Sequence, residues 1–347
     1  MNEQQFLAEL NVALSRLPEE ERKDVIQDIR EYFMDGKEDG KTEEELSASL
    51  GSPQAIASEI LPSFPIETET IHSETREVIK ISEPYMNIRT NVQHGSLIVK
   101  PSDTDETKVE LTGKNDKLRL TAEVIGQTLT INLKDVRRFF SFSFNFTPIT
   151  LTVHVPKKLY EMIELYTDNG RIMAEKLLGK TFKAESDNGR IQLQAIAATT
   201  LSAETDNGRI EMANIQAEHV RAKTDNGRIE LNHVDSQKVT AESDNGRIEM
   251  VNIAGALYGK TDNGRITLKT SGLDRNIDFS TDNGSIVIET EKEPTNVTIM
   301  AKTGHGRIDV FGEKNSRTSI GQGVNIVKLE SDNGRITVTT NKTINTI

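Results

Sequence analysis

Ala203-Glu204-Thr205-Asp206-Asn207-Gly208-Arg209-Ile210-Glu211-Met212 is one copy of a word that runs through about half of the chain. Asp-Asn-Gly begins at Asp168, Asp187, Asp206, Asp225 and Asp244, four equal steps in the numbering, and again at Asp262, Asp282 and Asp332. A degenerate copy, Gly304-His305-Gly306-Arg307-Ile308, lies between the last two. A repeat of this length with alternating apolar residues is the signature of stacked β coils. Asn-Gly suits a sharp bend, and its residue types favour positive φ, so the corner glycines are expected at positive φ.

Outward from the corner, both flanks alternate apolar and polar, which in a strand separates an inner from an outer face. One inward column is Ile172, Ile191, Ile210, Ile229, Ile248, Ile266, Ile286, Ile308 and Ile336. A second runs through Leu193, Met212, Leu231, Met250, Leu268 and Ile288, and a third through Leu177, Ile196, Ile215, Val234 and Ile253. The reading is a mainly β protein, with a right-handed parallel β-solenoid over 157–347 of about 19 residues per coil. Residues 78–156 also alternate, as in Leu129, Ile131, Leu133 and Leu151, Val153, Val155, and are expected to form a β cap.

Residues 1–61 follow a different rule. Phe6, Leu7, Leu10 and Leu14 recur at helical spacing, and Val25, Ile26, Ile29, Tyr32 and Phe33 share a face of a helix opened by Pro18. Thr42 with Glu45, and Ser52-Pro53, mark two further helix starts. This segment holds 15 acidic and 6 basic side chains, a net of −9 out of −12 for the whole chain. Residues 62–77, with two prolines and many Glu, Ser and Thr, read as a linker.

Composition narrows the chemistry. The chain has no Cys, hence no disulfide, thiol nucleophile or thiolate metal site. The acidic balance speaks against a nucleic-acid partner, whose phosphates are bound by Lys and Arg. The six His are scattered, and no Ser/His/Asp set or metal constellation emerges, so neither catalysis nor a cofactor is expected. The start of the chain lacks the basic and apolar regions of a signal peptide, which predicts a cytoplasmic protein with peripheral membrane contact as the variant.

Two features are candidate binding surfaces. The column Arg171, Arg190, Arg209, Arg228, Arg247 and Arg265 is either a face neutralised by Glu211, Glu230 and Glu249, or a stripe for an acidic polymer or lipid headgroup. Arg137, Arg138, Phe139, Phe140, Phe142, Phe144 and Phe146 form an aromatic run that is either core of the cap or an exposed contact for a membrane or a partner.

Two stretches carry a resemblance. Residues 1–61, with Phe6-Leu7, Leu17-Pro18, Tyr32-Phe33, Gly36, Gly40 and Leu50-Gly51-Ser52-Pro53, resemble the small helical HAAS domain of Gram-positive bacteria. Residues from about 85 to 340, with Ile149-Thr150-Leu151-Thr152-Val153-His154-Val155-Pro156 before the repeats, resemble the candidate-adhesin, or Toastrack, β-helix family. The pairing is similar to envelope-stress proteins that act with PspC-like membrane proteins. The resemblance implies a non-catalytic scaffold or adaptor that holds a membrane regulator or senses cationic peptides. A surface structural or adhesive protein is the alternative, and oligomeric state stays open.

Overall fold

The computed structural model of the chain describes residues 1–17, 22, 23, 25, 26, 29, 30, 32, 33, 37, 42–61, 76–113, 118–135 and 149–340, in two compact units. The first is helical. Helix Glu3–Ala13 is capped by Asn2, whose side chain accepts from the Gln5 N–H at 2.8 Å. Helix Glu43–Leu50 starts with a capping box of Thr42 and Glu45, and helix Pro53–Ile60 with a Ser52 cap and Pro53 in its first turn. Phe6, Leu10, Leu14, Leu17, Phe33, Leu46 and Ala57 form its core, against which Val25, Ile26, Ile29 and Tyr32 pack. The expected helix start at Pro18, and Gly36 and Gly40 of the HAAS resemblance, lie outside the described residues.

Among the described residues, the second unit is a 24-stranded sheet system in which residues one repeat apart are parallel neighbours. Ile191 pairs with Ile172 on one side and Ile210 on the other, while Phe182, before the corner, pairs with Ile163 and Leu201. The predicted columns point inward: Ile172, Ile191, Ile210, Ile229, Ile248, Ile266, Ile286 and Ile336 are buried, as are Leu193, Met212, Leu231 and Met250. Each such burial contributes roughly 1.5–3 kcal/mol.

At the corner the structure corrects the expected backbone. None of Gly170, Gly189, Gly208, Gly227 and Gly246 has positive φ. Glycine is required there by space: a Cβ on Gly208 would lie 2.0 Å from the Gly189 carbonyl oxygen of the coil beneath, and the same holds up the column. The residue before each Asp completes the corner. Ser186, Thr205, Thr224 and Ser243 are buried and donate their hydroxyls to the carbonyls of Gly170, Gly189, Gly208 and Gly227 at 3.0–3.2 Å. Outside them, Asn188, Asn207, Asn226 and Asn245 each donate Nδ2 to the Oδ1 of the preceding Asn at 2.8–3.0 Å, forming the amide ladder that stacked corners allow. The repeated word is therefore Ser/Thr-Asp-Asn-Gly, tied to the coil below through its hydroxyl, its amide and its glycine.

Positive φ does occur, at a second bend. Lys176, Ala195, Asn214, His233 and Asn252 all have φ of 54–55° and follow one another at the same step as the corners. Asn tolerates this conformation, whereas a residue such as Ala is strained in it. Ala195→Asn should therefore stabilise the protein by about 0.5–1 kcal/mol, read as a higher melting temperature. An unchanged or lower value would show that the bend does not strain Ala195.

The two ends of the stack break sequence order. Strands Asn87–His94 and Ser96–Pro101 pair in parallel with Leu159–Asn169 and Ile172–Glu175, so residues 87–101 are a coil of the stack, with Gly95 in the corner column. Strands Thr128–Asp135 and Thr150–Val155 lie on its far side, also parallel, and are covered by antiparallel strands Leu118–Ile125 and Thr107–Thr112. The cap expected over 78–156 is thus part coil and part antiparallel cover, and the described residues from 76 onward belong to one unit. Of the linker expected over 62–77, only Arg76 and Glu77 are described, and Glu77 begins strand Glu77–Ile81.

At the other end, strands Asn325–Ser331 and Ile336–Thr340 lie between the coil of Ile277–Thr281 and Ile286–Thr290 and the coil of Val297–Thr303 and Ile308–Val310. The last coil in sequence is the second-to-last in space. The wide spacing between Gly304 and Asp332 holds antiparallel strand Arg317–Ile320, which covers Val297–Thr303, and the return of the chain into the gap. The Asn ladder follows space: Asn333 donates to the sequence-distant Asn283 at 3.0 Å.

Candidate functional site

The Arg column is the most regular charged feature of the described surface. Each Arg follows a corner Gly whose carbonyl faces the next coil, so its side chain leaves the stack on the outer side of the bend. Arg209 Nη1 lies 3.1 Å from Glu211 and Arg228 Nη1 2.9 Å from Glu230, while Arg190 Nε approaches Glu211 at 3.8 Å from the neighbouring coil. Arg265 donates Nε to Ser285 at 2.8 Å. The side chains of Arg190, Arg209 and Arg228 are only 14–19 % exposed, so they lie along the stack rather than reaching into solvent. All six, Arg171 and Arg247 included, have interaction partners. This geometry serves mutual neutralisation of two columns and leaves little guanidinium for a polyanion.

The strands before the corner present a second charged face of the same kind. Lys183 pairs with Glu185 at 2.5 Å, Arg221 with Glu242 at 2.5 Å, and Lys223 with Glu204 at 3.3 Å. Hydrogen bonds to these carboxylates push the Lys183 and Lys223 ammoniums above their ordinary range. Tyr166 sits beside Asp168 and Asp187, and burial together with those carboxylates pushes its phenol up to about 12, so it is a donor at neutral pH.

Near the junction with the first coil, Tyr85 and Tyr160 stack at 5.9 Å, and the Lys158 ammonium lies 4.5 Å and 5.1 Å from their centroids. Lys158 also donates to the Tyr85 carbonyl, and burial lowers its pKa. The contact holds residues 85–87 against the coil beneath. Arg137, Arg138, Phe139, Phe140, Phe142, Phe144 and Phe146 lie outside the described residues, in the segment joining strands Thr128–Asp135 and Thr150–Val155.

Among the described residues no group of three or more His, Cys, Asp or Glu could hold a metal ion. His233 and Asn252 meet at 3.3 Å on the outer side of the second bend. Burial and the charges of Lys100 and Lys108 hold His154 below the usual imidazole range. No helix of the described residues is long and apolar enough to cross a membrane. Two shallow hollows open on the face of the second bend. One, of about 750 Å³, has Gly179, Ala198, Ala217 and Ser236 as its floor and the exposed Leu159 and Leu178 at one end. The other, of about 430 Å³, lies between Asn252, Thr270, Ser271 and Arg275. Spacing alone does not single out Arg275; the available signal is the interruption of the repeat by Thr270-Ser271-Gly272-Leu273-Asp274-Arg275-Asn276.

Two family models match the chain: HAAS over residues 5–59, and Toastrack DUF4097 over residues 85–339. No curated protein matches it. Similar solved structures include candidate adhesins from Bacteroides fragilis, at 16% identity over 78% of this chain and 98% of that one with a TM-score of 0.36, and from Parabacteroides merdae, at 12% over 75% and 97% with a TM-score of 0.45. Another from Parabacteroides distasonis is 13% identical over 77% and 98%, with a TM-score of 0.43. A parallel stack with repeating corners, preceded by a helical unit, is thus accompanied by a family match across most of the chain, and the protein belongs to the Toastrack DUF4097 family.

Proposed function

We propose that the chain is a non-catalytic scaffold in cell-envelope stress signalling. In this reading a right-handed solenoid, one repeat to each coil, supports an acidic helical unit that engages a basic partner, a PspC-like membrane regulator or a cationic peptide. The observation that carries it is the division of labour between the units. The charged columns of the stack are turned on one another. Residues 1–61, with 15 acidic against 6 basic side chains, hold three quarters of the net charge and have a core of their own. Such a surface attracts cationic partners over a Debye length and is weakened by salt.

The test is capture of membrane fractions and of a cationic peptide by the full chain and by a chain lacking residues 1–61, at low and high ionic strength. Capture should fall with salt and be lost with the deletion. Capture that ignores salt, or that survives the deletion, rejects the reading. The alternative is a surface structural or adhesive β-helix protein, and the similar solved structures are described as candidate adhesins. Recovery of the protein on the outer surface in cell fractionation would select it.

A further inference from the structure

The hollow at Arg275 differs from the charged faces of the stack. There Lys183, Arg209, Arg221 and Arg228 meet carboxylates on the same or the next coil, whereas Arg275 has no carboxylate within ion-pair distance among the described residues. Its Nη1 donates to the Ile253 carbonyl and its Nη2 to the Thr270 hydroxyl at 2.8 Å. Its Nε is buried and has no hydrogen-bond partner. A guanidinium has five N–H donors, so the two neutral acceptors leave three of them, and the whole positive charge, unanswered.

Asp274 also lines the hollow but does not answer that charge. Asp274 accepts from the Thr295 hydroxyl at 2.6 Å, from the Thr295 N–H at 3.0 Å and from the Asn296 N–H at 2.8 Å. These donors hold its carboxyl below the usual range and orient it toward residues 295–296. The remaining polar groups around the hollow are Asn252, with its amide 3.3 Å from His233 Nε2, the Thr270 hydroxyl and Ser271. A desolvated charge without a counter-charge is costly, and a cavity of about 430 Å³ beside it has room for a small group.

We propose that this hollow is a binding site for a small oxyanion, a carboxylate or phosphate group, held by the free N–H donors of Arg275 with Asn252 and Ser271 at its rim. A planar fork favours paired oxygens of this kind over a spherical anion such as chloride. Burial pulls the guanidinium down to about 10, still charged at neutral pH, so the site keeps its cation. The proposal stands apart from the acidic helical unit, since it concerns an anion and a different part of the chain.

The test is the melting temperature of the full chain titrated with sodium phosphate, sodium sulfate or sodium acetate against sodium chloride at matched ionic strength. A saturable rise with at least one oxyanion and none with chloride is expected, and it should vanish in Arg275→Gln. Asn252→Asp, which places a carboxylate at the rim of the hollow at a φ that Asp tolerates, should also abolish the rise while the protein stays folded. Arg221→Gln, in the self-paired face, should leave it unchanged. A rise with phosphate alone or acetate alone would assign the tetrahedral or the planar group. The absence of any rise over chloride, or a rise of equal size in Asn252→Asp, overturns the proposal whether or not Arg275→Gln folds.

Discussion

Gly208→Ala should unfold the stack or cost on the order of 4 kcal/mol or more, among the largest effects a single methyl can have. The added Cβ would sit 2.0 Å from the Gly189 carbonyl oxygen, 2.6 Å from its carbon and 2.8 Å from the Thr205 hydroxyl oxygen, all closer than van der Waals contact. Two of these are backbone atoms, so no rotamer change relieves the clash. Separating the coils would stretch the Thr205 bond to Gly189 and the amide pair between Asn207 and Asn188. Gly272→Ala is the control, because a Cβ there meets nothing within 4 Å and its φ is not positive. Chemical denaturation of both variants decides the matter. A Gly208→Ala protein as stable as Gly272→Ala would show that adjacent coils are not stacked as closely as described.

Leu329→Ala should cost about 2–5 kcal/mol, as expected for a leucine in the middle of a core, although it lies close to the end of the chain. In an ordinary solenoid the last repeat frays first. Here Leu329 pairs with Phe279 on one side and Ala301 on the other, and Val327, Leu329, Ile336 and Val338 are all buried. Ser331 donates to the Gly284 carbonyl at 2.9 Å, and Thr303 donates to that of Gly334 at 3.2 Å, so both faces of the coil are bonded. Amide hydrogen exchange gives an independent reading: residues 327–331 should be better protected than residues 317–320, whose strand pairs on one side only among the described residues. Faster exchange in 327–331 would restore sequence order at this end and remove the interlock.

Both effects arise from contacts between coils, and they show why part of the structure is legible in the sequence and part is not. The inward columns are legible because alternation and a constant step constrain the same atoms twice: residue 191 must face inward, and it must lie beside 172 and 210. The Ser/Thr before each Asp is equally visible as a repeat, but its role needs the carbonyl it reaches in the coil below. At the corner glycines the expectation of positive φ fails because Asn-Gly is common in turns of that kind, while here the demand is for close approach of two backbones. The left-handed column leaves only a partial mark: Asn214, His233 and Asn252 are types that accept positive φ, whereas Lys176 and Ala195 are not, and there tertiary packing imposes it. For the binding surfaces, spacing names the Arg column and its Glu partners, and only the fold shows Arg190 turned along the stack toward Glu211 of the next coil.

What the sequence by itself determined was the local period: helical spacing and acidic charge before residue 62, then a β repeat whose apolar residues must turn inward to escape water. What only the tertiary structure decided was the order in which the coils stack and which charges remain unanswered. Neighbouring coils share the corner pattern and the inward alternation of apolar residues and so offer similar edges to one another, and the period cannot say whether residues 325–340 follow 297–310 or enter the gap before them. Likewise, the break in the repeat around Arg275 is visible in the sequence, but only the fold shows its guanidinium meeting two neutral acceptors, with its Nε buried and unpaired and the Asp274 carboxylate turned to residues 295–296.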